Sequence, residues 1–253
     1  MIAEVLGYGW PMLAAMAAAA VVIGFSKTSF GGIAGISVAI FALAMPARES
    51  TAAVLVLLLV GDAVAILRYR TVSWRLLLCL VPSVLPGLLL GALFMAFVSD
   101  GVMRRTIGVL LLAMVLLQLW QRRRPAAPET EVGEPPHPAR TIGTGVAAGF
   151  TTMTANAAGP VMALYFLAAR IDKVRFIGTN AWFFALINLA KVPLTAALGL
   201  FTPAHLLLDL LLVPAVLLGC ALGIAVIRRV SQRQFEVVTL IASALSAGLL
   251  LLR

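Results

Sequence analysis

Apolar residues in this chain fall into long blocks separated by short polar stretches, with no sustained alternation of apolar and polar positions. Leu and Ala runs dominate the blocks, and several reach the ~18–20 residues that a helix needs to cross a bilayer. Period-two patterning, the mark of barrel strands, is absent, so the blocks are predicted to be helices. Six read as ordinary spans, at about 50–67, 74–98, 103–121, 174–198, 204–227 and 233–252. Two others, 10–46 and 141–169, are interrupted by polar and glycine-rich stretches. The first interruption is GFSKTSFGG at 24–32, which puts Lys27 and three hydroxyl side chains where hydrocarbon is expected.

The pattern repeats. GFSKTSFGGIAG (24–35) aligns with GFTTMTANAAGP (149–160) at an offset of 125, and VPSVLPGLLLG (81–91) with VPAVLLGCALG (213–223) at an offset of 132. An insertion near Thr195–Thr202 accounts for the change of offset. Asp62 then falls near Asn188, and Arg48 near Arg175. Each half, 1–121 and 141–253, is one interrupted segment followed by three spans. Gly87/Gly91 and Gly219/Gly223 recur as a G-x-x-x-G spacing that lets helices approach closely. Between the halves lies RRRPAAPETEVGEPPHPAR (122–140), with five prolines and no periodicity, a polar, solvated linker.

Composition fits an all-α integral membrane protein: 62% of the 253 residues are hydrophobic and only 11% are charged. The net charge of +9 would suit nucleic acid, but the basic residues cluster beside apolar runs, as in cytoplasmic loops, so no nucleic-acid partner is expected. Cys79 and Cys220 lie within apolar runs and are read as small core residues without disulfide or metal roles. MIAEVLGYG at the start lacks the basic residue of a secretory signal and is read as retained.

Charge also bears on topology. If all eight segments cross, Lys and Arg divide nine against eight between the two sides, a poor bias for a membrane protein. If both interrupted segments are re-entrant hairpins, thirteen lie on one side and four on the other, leaving Lys27 and Lys191 at membrane depth. The count requires the hairpin only for the second segment, and the repeat supplies it for the first. The expectation is two inverted repeats, each a re-entrant helical hairpin plus three transmembrane helices. Both termini would then be periplasmic and the linker cytoplasmic. Inverted repeats with broken helices are common among secondary transporters. With half-helices of ~15 residues, ~22 Å long, the two tips would meet near the centre of the bilayer.

Such tips suit an anion. A helix that starts inside the bilayer leaves N–H groups unpaired and carries partial positive charge at that end. Ser29 is the N-cap candidate for the second limb of the first hairpin, and Thr154 or Asn156 for that of the second. Gly31 and Gly32 allow close backbone approach. Lys27 supplies full charge, and Ser26, Thr28, Thr151 and Thr152 supply hydroxyls, although back-bonding to helix carbonyls competes for about half of these. Phe184, Asn188, Lys191 and Thr195 share one helix face, and a buried lysine there costs several kcal/mol, ~3 on insertion scales, unless it meets a cavity or partner. Asp62 is the one acid placed at depth, as a counter-ion for either lysine or as a carrier of a coupling proton; the two roles stay open. Asn180 and Trp182 are further candidates for lining the cavity, with packing the favoured role for Trp182. Arg48 and Arg175 are read as interfacial anchors.

These stretches, with NAWFFALINLAKVPLTAALGLFT at 180–202, identify a resemblance that runs over nearly the whole chain. The sequence resembles the TauE/SafE family of sulfite and organosulfonate exporters, also called the toluene sulfonate uptake permease family. Many members carry three or more consecutive glycines in each motif, where this chain has GGIAG and ANAAG. The resemblance implies movement of sulfite, sulfoacetate or related sulfonates across the bacterial inner membrane. It does not fix the substrate or the direction.

Other classes fit less well. An intramembrane serine hydrolase would need a base near Ser26 or Ser29, but His137 lies in the linker and His205 near the outer face. No enzyme activity and no cofactor are expected. A cation site would call for several carboxylates, Met or His at depth, so no metal is expected. TIGTG (141–145) stands at a hairpin entrance and is not a potassium filter. An anion channel, or a carrier of a carboxylate or another non-sulfur anion, is the nearest alternative. The partners read from the sequence are a small anion, the lipid bilayer, protons and, as an open assembly, a second copy in a homodimer.

Overall fold

A computed structural model describes residues 8–29, 34–123, 135–169, 171 and 173–226. Gly31, Gly32, most of the linker and the last expected span, 233–252, lie outside the described residues. The described chain is helical: α1 (Trp10–Thr28), α2 (Ala34–Ala44), α3 (Ala47–Arg68), α4 (Trp74–Phe97), α5 (Asp100–Arg123), α6 (Pro138–Ala155), α7 (Gly159–Ala168), α8 (Lys173–Ala197) and α9 (Pro203–Val226). Proline stands in the first turn of α1 and α6, where its missing N–H costs nothing. Pro82, Pro86, Pro193 and Pro214 lie inside helices, as membrane helices tolerate.

Both interrupted segments double back. Ser37 in α2 donates to the Ala19 carbonyl of α1 at 2.8 Å, although a straight helix would separate them by about 27 Å. Thr141 Oγ1 in α6 and Tyr165 OH in α7 are 3.5 Å apart, where a straight helix would put about 36 Å between them. The second reversal follows Asn156, whose backbone is left-handed (φ 48°, ψ 31°), a conformation that asparagine tolerates. The amides of Asn156 and Ala157 turn back to the carbonyls of Thr152 (3.1 Å) and Thr151 (3.3 Å).

The hairpins depart from expectation in their limbs. α1 has 19 residues and α6 has 18, about 27–28 Å of rise each, against the ~15 residues expected. The return limbs α2 and α7 have only 11 and 10. The first limbs run on because their polar ends must reach the polar residues of α3 and α8. Among the described residues, each hairpin seats on a span of the opposite half, α1 on α9 and α6 on α4.

Glycines make those seats. A Cβ at Gly219 would stand 2.0 Å from the Val21 carbonyl oxygen, and one at Gly24 would stand 1.9 Å from that of Val216. In the other pair, a Cβ at Gly87 would meet Val146 O at 2.2 Å, and one at Gly149 would meet Val84 O at 2.2 Å. Every residue in the second contact is the repeat mate of one in the first, at offsets of 125 or 132. Burial repeats in the same register. Leu76, Leu77, Leu80, Val84, Gly87, Leu88 and Gly91 are buried in α4, and Leu208, Asp209, Leu212, Val216, Gly219, Cys220 and Gly223 in α9.

α3 and α8 pack on each other at the middle and run antiparallel. Asp62 meets Asn188, while beyond the end of α3 the Ser73 amide donates to Thr179 Oγ1 (2.9 Å) and Trp74 lies edge-on to Trp182 at 5.1 Å. Trp182 thus packs, as the sequence favours. Leucines such as Leu78, Leu89, Leu93, Leu210 and Leu218 face outward, as a lipid-facing surface requires. Cys79 lies exposed with them, which corrects its reading as a core residue; Cys220 is buried.

Replacing Gly87 or Gly219 by Leu should lower stability in detergent by roughly 3 kcal/mol or more, because backbone must move to admit the side chain. Gly101→Leu, at a position with nothing within 4 Å, should leave the unfolding midpoint unchanged in the same thermal-shift measurement.

Candidate functional site

α3 and α8 bring their polar residues together between the two hairpins. Asp62 is 15 residues into α3 and Asn188 is 15 residues into α8, so antiparallel packing lets them meet. Asn188 Nδ2 donates to Asp62 Oδ2 at 2.6 Å, and Asp62 Oδ1 lies 2.6 Å from Lys27 Nζ near the end of α1. Gly61 clears the way for the lysine stem, since a Cβ there would stand 2.8 Å from Lys27 Cγ. The Lys27 ammonium also sits over the Phe184 ring, 4.6 Å from its centroid, a favourable cation–π position.

On the other side of Asn188, Lys191 is 2% exposed. Its ammonium donates to Asn188 Oδ1 (3.4 Å), to Thr152 Oγ1 (3.5 Å) and, through a short contact, to Asn156 Oδ1. Asn156 Nδ2 in turn donates to the Thr51 carbonyl of α3 at 3.1 Å. Lys27, Asp62, Asn188, Lys191 and Asn156 therefore form one chain of polar contacts from the tip of the first hairpin to the tip of the second. Two lysine side chains face one carboxylate, with Asp62 and Lys191 buried and Lys27 11% exposed.

The remaining sequence candidates divide. Thr152 joins the cluster. Thr28 Oγ1 donates to Gly24 O (3.1 Å) and Cys220 O (3.0 Å), and Ser29 Oγ donates to Phe25 O (2.6 Å). Thr151 and Thr154 likewise donate to carbonyls one turn back. These four hydroxyls hold their protons on helix carbonyls, the competing outcome raised by the sequence. Ser26 and Thr195 are buried. The capping roles are corrected: Ser29 ends α1 instead of opening α2, and Asn156 ends α6 with its side chain turned to Lys191 and Thr51.

Sequence reasoning missed two features. Tyr69 OH donates to the Thr28 carbonyl at 2.6 Å, tying the tip of α1 to the end of α3. Besides Asp62, Asp209 is a second buried acid, 1% exposed. Its signal was available, a carboxylate inside HLLLDLLLVP. His205 stays at the end of α9, with Nδ1 3.3 Å from Glu49 Oε2, away from the hairpin tips.

Among the described residues, no three His, Cys, Asp or Glu side chains group to hold a metal. Compared with known proteins, the chain matches a family model described as sulfite exporter TauE/SafE over residues 16–250. No curated protein and no solved structure matches it.

Removing one partner of a buried ion pair strands the other, at a cost of about 3–5 kcal/mol. Asp62→Leu should destabilise the protein by that order in detergent unfolding. The double variant Lys27→Met/Asp62→Leu should recover most of the loss.

Proposed function

The chain belongs to the TauE/SafE sulfite exporter family, and on that premise we propose that it is a secondary transporter of a small oxyanion. Sulfite or a sulfonate such as sulfoacetate is the cargo, carried across the bacterial inner membrane by alternating access. The observation that carries the reading is a polar cluster with two lysines and one carboxylate, set between the two hairpins. A small anion completes its charge balance. In this reading the anion would sit at the Nζ of Lys191, now on the oxygens of Asn156, Asn188 and Thr152, and at that of Lys27, now on Asp62.

Membrane placement follows the charge count. The linker and the thirteen-residue basic side are cytoplasmic, the termini are periplasmic, and the hairpins enter from opposite faces. Antiparallel α3 and α8, repeat mates of each other, support that inversion. Asp62 serves as the internal counter-ion that an incoming anion displaces. Its protonation would free Lys27 and couple anion movement to protons.

A thermal-shift and binding screen of the purified protein against sulfite, sulfate, thiosulfate, sulfoacetate, isethionate, lactate and chloride tests this. Sulfite or a sulfonate should stabilise it. Lys27→Met and Lys191→Met should each weaken binding roughly tenfold or more, a loss of about 1.4 kcal/mol or greater. Unchanged binding in both variants overturns the site. In proteoliposomes, flux should saturate with anion concentration; ohmic conductance would instead make the protein a channel.

A further inference from the structure

We propose that Asp209 is a proton-binding site, separate from the anion cluster and reached from the end of α9 that bears His205. The carboxyl is 1% exposed, and neither of its oxygens finds a hydrogen-bond partner among the described residues. An ionised carboxylate without partners in an apolar interior is strongly disfavoured, whereas its neutral acid form is far easier to hold there. Its repeat mate in α4 is Leu77, a core residue 1% exposed. Packing at this place is therefore met by hydrocarbon in one half, and the other half departs from it with a titratable group. A charged residue inside a membrane helix that serves neither packing nor an ion pair points to proton traffic.

The surroundings supply a route. Asp209 lies six residues into α9, about 9 Å from its start. His205 precedes it by four residues and so shares its face one turn away. His205 Nδ1 is 3.3 Å from Glu49 Oε2 of α3, with side chains 13% and 34% exposed, so this pair reaches the water-facing end of the helix. On the described elements that pack against α9, the other charged or titratable groups are few. α3 carries Arg48 beside Glu49, Asp62 farther along and Arg68 at its end; α1 carries only Lys27. Thr28, next to Lys27, bonds the carbonyl of Cys220, eleven residues beyond Asp209, about 16 Å along α9. Lys27 and its partner Asp62 therefore belong to a different level of the membrane. Tyr8 stands just ahead of α1, near Glu49. In the proposed step, a proton from water is held by the Glu49–His205 pair, passes from the imidazole to an Asp209 carboxylate oxygen, and the imidazole is reprotonated from solvent. Nothing is oxidised or reduced. His205, Glu49 and Asp209 do not gather as a metal-holding group, which favours a proton over a divalent cation.

Proton binding at Asp209 stands without the transport reading; its consequence for flux rests on that reading. Infrared difference spectra of the full chain in lipid, recorded between alkaline and acid pH, test the first. Beside the bands of the other carboxyl groups, a carboxylic-acid C=O component of a buried group should titrate in the wild type and in Asp62→Asn, and be missing from Asp209→Asn. A band that survives unchanged in Asp209→Asn, or no such band in the wild type, overturns the proposal. Asp209→Leu, which restores the residue of the other half, should fold and also lack the band. It guards against an Asn variant that fails to assemble. In proteoliposomes, sulfite uptake driven by a pH gradient should fall at least tenfold in Asp209→Asn, while sulfite–sulfite exchange stays within twofold. Undiminished gradient-driven uptake in that variant overturns the coupling role. If wild-type protein moves no sulfite at all, it is the transport reading that fails, and the infrared result still decides the proton site.

Discussion

Two lysines at the centre, Lys191 buried and Lys27 11% exposed, constrain the packing of the described helices. Each would cost several kcal/mol if left without partners, ~3 even on insertion scales. The lysines and their partners come from four helices: Lys27 from α1, Asp62 from α3, Lys191 and Asn188 from α8, and Thr152 from α6 with Asn156 just past its end. Satisfying the charges therefore positions both hairpins and both central spans at once. It also explains why the first limbs exceed half a bilayer. α1 must continue until Lys27 draws level with Gly61 and Asp62, and α6 until Thr152 and Asn156 reach Lys191. One carboxylate stands against two lysines there, and the proposed anion site rests on that imbalance.

The scaffold is duplicated, but the chemistry set on it is not. The same glycines, carbonyls and buried leucines recur at fixed offsets, so the two helix seats are near copies. At the functional positions the copies diverge: Lys27 opposite Thr152, Asp62 opposite Asn188, Ala65 opposite Lys191, and Leu77 opposite Asp209. Each divergence replaces a neutral group by a charged one in only one half. A symmetric arrangement would carry the same charged groups at matching places in both halves. The asymmetric one makes opposite charges meet across α1 and α3 and leaves a cation for the second hairpin.

Much of this was legible in the sequence, for identifiable reasons. The helix bounds of α3, α4, α8 and α9 follow directly from apolar run lengths, because hydrocarbon imposes a length rule that soluble cores do not. The hairpins followed from charge asymmetry and the repeat. Lys27, Asp62, Asn188 and Lys191 stood out because polar groups within apolar runs are rare. What was not legible was direction. A threonine at a hairpin tip donates equally well to a ligand or to the carbonyl one turn back, and Thr28, Thr151 and Thr154 do the latter. Asn156 could cap a helix start or end a helix in left-handed backbone, and nothing in ANAAG distinguishes the two. Asp209 escaped because attention followed the interrupted motifs, while its span read as an ordinary leucine run.

The packing also says where alternating access would have to open the molecule. The chain's halves are not its mechanical units, because each hairpin is seated on a span of the opposite half. A Cβ at Gly24 or Gly219 would stand within about 2 Å of a facing carbonyl oxygen, and the α4–α6 seat is as tight. Surfaces in such close backbone contact resist sliding, since interlocked packing offers discrete arrangements and not a continuum. The first hairpin with α9 would then move as one body and the second hairpin with α4 as another. Between them runs the contact of α3 with α8, held at its middle by Asp62, Asn188 and Lys191. Side-chain hydrogen bonds can exchange partners where backbone contacts cannot, so that seam is the one able to part. An anion that takes Lys27 from Asp62 and Lys191 from Asn188 would loosen the very bonds that close it, and so would join occupancy of the site to movement of the bodies around it.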